Sequence, residues 1–359
     1  MLYSELSSAA QTAYAQLQDA ALAEALSRTV AQIDGSFARK TVKGRIYWYF
    51  SFREGAAVRQ IYVGPDSDRV RQLIALKAAA AGLSPIAPLA RAYAAHGGAT
   101  LTSKHLRVIR RISDYGFFRS GGVLVGTHAF SSYANMLGVK WRSGERTMDV
   151  DLALPGQNVS IAFPDAPPID LHDALTTFET GFLPTSTMGG DLGPTYSLKG
   201  DPDFQIDFLT TADRRGSGPR RMPKLPVTAT PLKFMEYLLE NPTQAVLLDD
   251  AGRYVVASIP NPLRYGVHKL IVNAERTVQF ATKARKDLEQ AAALFQYASA
   301  QDPEGLQEAW DEAVQRGAGW SSRLNSSLTA LSRRWPLARL GVARDLRGTG
   351  LKVLGIPAA

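Results

Sequence analysis

The stretch that limits the fold most is residues 121–154. It opens on Gly121-Gly122 and the apolar run Val123-Leu124-Val125, breaks at Gly126-Thr127, and continues into a helical pattern over 128–137. A basic loop over 140–146 then leads into Thr147-Met148-Asp149-Val150-Asp151-Leu152. The pattern reads as strand, tight turn, helix, loop, strand. Side chains two apart on a strand share a face, so Asp149 and Asp151 fall on one side and Met148, Val150 and Leu152 on the other. Carboxylates so placed stand about 6–7 Å apart and repel unless positive charge lies between them. Magnesium suits that place, because it takes hard oxygen ligands and binds beside phosphate groups. A third acid arises in Phe204-Gln205-Ile206-Asp207-Phe208-Leu209-Thr210. An aspartate in such an apolar, strand-like run needs a partner or a metal.

The turn supplies the other half of a site. Glycine lets the backbone approach a ligand closely, and a helix start directs unpaired N–H groups at an anion. Gly126 and the Thr127 hydroxyl would hold the β and γ phosphates of a nucleoside triphosphate. Lys199, in a strand-like segment before Asp207, is a further candidate for the triphosphate, although strand lysines are usually just solvated.

Gly126-Thr127, the helix behind it, Asp149-x-Asp151 and Asp207 resemble the nucleotidyltransferase signature of the DNA polymerase beta superfamily, with Thr127 where serine is commonest. The chain is similar to a bacterial group of nucleotidyltransferase-like proteins and, more distantly, to the nucleotidyltransferase antitoxins. The resemblance runs over much of 30–295, through Pro262-x5-His268-Lys269-Leu270, Arg276, Lys283 and Lys286-Asp287. It implies transfer of NMP from an NTP, dependent on Mg2+ or Mn2+, to a protein, RNA or small hydroxyl acceptor, with pyrophosphate leaving. Asp149, Asp151 and Asp207 would then be the catalytic, metal-holding residues. Lys269 and Arg276 would reach the triphosphate; their plainer reading is ion pairing with Asp287 or Glu289. The competing expectations are a silent nucleotide-binding or antitoxin-like module, facing a toxin or defence-system partner, and a nucleic-acid-binding protein.

Other segments bear on that last class. Residues 36–64 read as strands with a hairpin at Glu54-Gly55, and they interleave Arg39, Lys40, Lys43, Arg45, Arg53 and Arg59 with Tyr47, Trp48, Tyr49 and Phe50. Basic and aromatic residues alternating on a sheet can hold phosphates and stack bases. Arg45, Tyr47 and Tyr49 are therefore candidate acceptor contacts, against the plainer reading of a sheet packed on the N-terminal helix. Arg142, Arg146, Arg214 and Arg215 lie in basic loops and are candidates of the same kind, or simply solvated.

Composition narrows the classes. The net charge of +8 favours anionic partners. The absence of cysteine excludes disulfides and thiolate-ligated zinc. No apolar run approaches the ~18 residues of a membrane span, and the first residues do not form a signal peptide, so a cytoplasmic protein without a membrane partner is expected. The expected architecture is α+β, a mixed catalytic sheet flanked by helical N- and C-terminal regions. Its parts are a helical region with the aromatic, basic hairpin (1–100), the catalytic core (101–230), a hairpin with a helical domain (231–347) and a flexible tail (348–359).

Overall fold

The computed structural model describes the chain except residues 28–35, 43, 55–56, 81–85, 143–146, 156–169, 179–180, 187–191, 213–217, 223–226, 345–349 and 355–359. Of residues 26–27, 52–54, 57, 59, 61, 76–77, 79–80 and 186 it describes the backbone alone. Arg146, Arg214 and Arg215 thus lie outside the described residues.

The chain opens with β1 (Tyr3–Glu5) and α1 (Ser8–Ser27), then an antiparallel sheet of β2 (Ser36–Val42), β3 (Arg45–Glu54) and β4 (Ala57–Pro65). Three helices follow, α2 (Asp68–Ala80), α3 (Ile86–Ala95) and α4 (Ser103–Asp114). The middle of the chain holds β5 (Val123–Leu124), α5 (Gly126–Met136), β6 (Val139–Trp141), β7 (Val150–Leu154) and α6 (Leu171–Thr176). Next come β8 (Phe182–Ser186), β9 (Leu192–Leu198), β10 (Asp201–Thr211), β11 (Arg220–Arg221), β12 (Thr228–Leu232) and α7 (Met235–Leu239). The hairpin of β13 (Thr243–Leu248) and β14 (Tyr254–Ile259) leads to α8 (Pro262–Glu275), α9 (Ala281–Gln301), α10 (Pro303–Gln315) and α11 (Ala318–Arg334). A last pair, β15 (Val342–Arg344) and β16 (Leu351–Val353), is antiparallel.

The central sheet has seven strands in the order β11-β12-β10-β7-β5, with the β8–β9 hairpin joined to β10 through β9. Its spine is β10, which alternates buried Phe204, Ile206 and Phe208 with half-buried Gln205, Asp207 and Leu209. That period of two fits a strand with one face on the core. It runs parallel to β7 and β12 and antiparallel to β9, so the sheet is mixed. One face packs on α4 and α5: Leu106, Ile109 and Ile112 of α4, with Ala129, Phe130 and Tyr133 of α5, join the sheet's core. A second core fills the helices α8 to α11 around buried Trp310. This is the α+β arrangement that the resemblance implies, a mixed sheet between N- and C-terminal helical regions.

Several expectations need correction. The strand over 147–152 begins only at Val150; the Thr147 hydroxyl accepts from the Asp149 amide at 3.3 Å, a local bond that competes with strand pairing. The expected helical region from 231 does not open on a helix: Pro231 pairs with Thr210 in β12, and α7 starts at Met235. The tail is not loose throughout: Leu351 is buried in the second core and β16 pairs with β15. Among the described side chains, the sheet aromatics Tyr47, Trp48, Tyr49 and Phe50 are absent from the core of α1, which packs Tyr14, Leu17 and Ala21 on Tyr93, Val246 and Leu248. That core joins α1 and α3 to the β13–β14 hairpin.

Candidate active site

The parallel register of β7 and β10 places Asp207 directly beside Asp151. Neighbouring strands lie about 4.8 Å apart, so the two carboxylates issue from adjacent points on β7 and β10. Asp149 precedes β7 and is half-buried. Its charge reaches both of the others. Burial, then the negative charge of Asp207, pushes the Asp151 carboxyl up to about 6, against the pull of Lys269; Asp149 adds to the rise and Lys283 opposes it. The Asp207 carboxyl is also raised, first by burial, while the Thr195 hydroxyl donating to Oδ1 at 2.5 Å works the other way. Asp149 raises it further and Lys283 lowers it.

The turn predicted to hold phosphate meets this pair. The Val125 amide donates to the Asp151 carbonyl at 2.9 Å, which locks the end of β5 onto β7. Gly126 follows at φ +66°, and a Cβ there would lie 2.0 Å from Asp151 Oδ2. Both the backbone angle and the close approach demand glycine. Helix α5 starts at Gly126, and Val125 gives it no side-chain cap. Thr127 is half-buried and lines a small pocket of about 30 Å³ with Phe130, Trp141 and Lys286.

Helices from the C-terminal region brace the turn. The Tyr265 hydroxyl lies 2.9 Å from the Gly126 carbonyl and 2.9 Å from Gln290 Oε1. One hydroxyl carries one proton, so Tyr265 donates to Gly126 if the Gln290 amide is turned to donate in its place. Lys269 sits one helical turn beyond Tyr265, its Nζ 5.1 Å from the ring centroid. Lys269 and Arg276 both reach Asp287, at 2.8 Å and 3.0 Å. The Asp287 side chain is 3% exposed, so this ion triad is structural in the first instance. Lys269 nonetheless stands near enough to Asp151 to act on it.

Other candidates are placed elsewhere. Lys199 is exposed in the turn that joins β9 to β10. It is four residues past Thr195, the partner of Asp207, or about 13 Å along the strand. Arg142 is exposed beyond β6, its amide bonded to the Leu2 carbonyl. Arg45, Tyr47 and Tyr49 belong to the separate β2–β4 sheet. His128 faces inward, its Nε2 2.9 Å from His105 Nδ1, and burial holds its pKa down at about 3. His268 is buried as well, also near 3, with neither ring nitrogen hydrogen-bonded. On α4, Lys104 pairs with Asp201, and Arg111 bonds the Ala174 carbonyl, Tyr115 and Thr177. Those two cations are spent on holding the fold.

Thr195, Tyr265, Gln290 and the proximity of Lys283 to the acids escaped the sequence reading. Only the spacing of Tyr265 and Lys269, one turn apart on a helix, hinted at any of them.

The donor set suits a hard divalent cation. Two raised carboxylates side by side favour positive charge between them, and magnesium is commonly held by one or two carboxylates with water and phosphate oxygens completing its shell. Among the described residues no three His, Asp or Glu side chains converge as a ready-made ligand set, so a metal here would depend on such outside ligands. No curated protein matches the chain. Residues 11–72, which carry α1 and the β2–β4 sheet, match a family described as Domain of unknown function (DUF6788). Residues 103–315 hold β5, the Gly126 turn, all three aspartates and the bracing helices; they match the family model described as Nucleotidyltransferase, and the chain belongs to that family.

Proposed function

We propose that the protein is a metal-dependent nucleotidyltransferase of the polymerase beta kind, which moves NMP from an NTP to a hydroxyl acceptor and releases pyrophosphate. The observation that carries this reading is the pairing of Asp151 with Asp207 in register, with the Gly126 turn against Asp151. In the proposal Asp149, Asp151 and Asp207 hold Mg2+ or Mn2+. The bound ion would neutralise charge developing on the phosphate and on the leaving pyrophosphate. The backbone from Gly126 and the Thr127 hydroxyl hold the phosphate tail. Tyr265 keeps the turn in position. Asp207, with Oδ1 taken by Thr195, receives the acceptor proton on Oδ2; a raised pKa makes it a better base near neutrality. The acceptor oxygen bonds to the α phosphorus as the bond to the bridging oxygen breaks.

The acceptor is a protein, an RNA end or a small hydroxyl compound, and a cytoplasmic setting belongs to the same proposal. No described helix is long and apolar enough to cross a membrane. The test is incorporation from each α-labelled NTP in cell extract, comparing the parent with Asp151→Asn. Loss of label in a folded variant supports the assignment, and equal labelling by both proteins rejects it. A second reading, a silent nucleotide-binding or antitoxin-like partner, draws on one observation: Asp287 already engages both Lys269 and Arg276. Under that reading Mg-NTP binds or fails to bind, but no label is transferred by either protein.

A further inference from the structure

The β2–β4 sheet has two unlike faces. On one, Phe37 packs edge-on to Phe50 at 5.2 Å, Phe50 is buried, and Trp48 donates to Asp66 at the start of α2. Gly64 and Val70 bring β4 against that helix. This face meets α2. The other face carries Tyr47, Tyr49 and Tyr62, with ring centroids 5.5 Å apart for Tyr49 and Tyr62 and 6.2 Å for Tyr47 and Tyr62. Lys40 Nζ stands 4.5 Å over the Tyr49 ring and donates to Gln60 at 2.7 Å, and Gln60 donates to Ser51. Arg45 is exposed at the end of the same row, next to Tyr47 in alternation. Tyr62 is 54% exposed and Val58 is 63% exposed, which is costly surface to leave in water.

We propose that this face binds single-stranded RNA. Adjacent rings on a sheet are a platform on which successive unpaired bases stack, and nearby cations track the backbone phosphates. The charge is of one sign: among the described side chains, the row through Lys40, Arg45, Tyr47, Tyr49, Ser51, Gln60 and Tyr62 contains no acid. The whole chain carries +8. A protein partner would favour a core depleted of charge, whereas here a lysine stands directly over a ring. The three phenol hydroxyls, Ser51 and Gln60 give the row donors and acceptors able to meet a 2′-hydroxyl, which DNA lacks. No residue of the row belongs to the aspartate site, so RNA binding stands or falls independently of the transfer reaction.

The test is fluorescence anisotropy of the full chain with a labelled single-stranded RNA, DNA of the same sequence and an RNA duplex, over a range of salt. Single-stranded RNA should bind best. Tyr62→Ala, at an exposed ring, should weaken it about fivefold or more, and Tyr62→Phe should keep most of the affinity because the ring remains. Lys40→Gln with Arg45→Gln should flatten the slope of log affinity on log salt by about 1.4. Asp151→Asn should bind like the parent. The proposal is overturned if single-stranded RNA does not bind at low salt, or if DNA or duplex binds as well. It is equally overturned if the tyrosine and cation variants, with circular dichroism unchanged, bind as the parent does.

Discussion

Asp151→Asn should stabilise the protein above neutral pH, even though it removes the acid on which transfer depends. Burial and the neighbouring Asp207 push the Asp151 carboxyl from 3.8 up to about 6 in the folded chain. The fold therefore binds that proton more tightly than the unfolded chain does. Its stabilising contribution is fully present below the unfolded value of 3.8 and is lost as pH rises through about 6. Above that, the native protein holds a buried anion beside a second acid. The difference between 3.8 and about 6 corresponds to about 3 kcal/mol. The side chain keeps some solvent access at the end of the strand, and screening there reduces the figure to about 2 kcal/mol. Asparagine keeps the shape without the charge. The variant should thus gain about 2 kcal/mol near pH 8 and nearly nothing near pH 4. In a cooperative unit of this size that is about 4–8 °C in Tm. Thermal and urea unfolding in EDTA, followed by circular dichroism across this pH range, measures it. Magnesium should then raise the parent near pH 8 and leave the variant where it was, because only the parent binds it in the native state. A variant that melts at or below the parent near pH 8 refutes the electrostatic account. So does an equal gain at both ends of the range, which would mean packing and not charge.

Gly126→Ala places a methyl group on Asp151 Oδ2 in a positive-φ backbone; it should cost about 1–3 kcal/mol and abolish labelling, and a melt within error of the parent's would contradict the close approach. Tyr265→Phe removes the hydroxyl beside Gly126 and Gln290. It should lose about 1–2 kcal/mol of stability and slow transfer about tenfold, read as a fall in kcat with KM little changed. Asp287→Asn leaves Lys269 and Arg276 without their shared anion. Urea unfolding should show a loss of about 3 kcal/mol or more, and a loss below about 1 kcal/mol would mean that the triad is solvated like a surface pair.

The sequence alone marks the candidate turn and the three candidate aspartates. Val123-Leu124-Val125 followed by Gly126-Thr127 marks a strand, a break and a helix, and the alternation around Asp207 marks a half-buried strand. These signals are local: the period of apolar residues says which side of an element faces inward, and glycine says where the backbone must turn. Tertiary structure alone decided what those parts meet. Asp151 and Asp207 are neighbours because β7 and β10 pair in parallel with Ile206 opposite Val150, and a slip of one residue would have turned one acid to the other face. Asp149 fell outside the strand because a hydroxyl two residues before it offered its amide a nearer bond. Lys269, Arg276 and Asp287 as their ion-pair partner were legible in the chain, while the choice of Asp287 over Glu289 followed from the packing of α9 on α8. The tyrosines of β3 and β4 were equally visible in the chain, while their open face followed from α2 covering the opposite side. Burial and pairing between distant segments are set by the sum of many weak contacts, and no short window of sequence contains that sum.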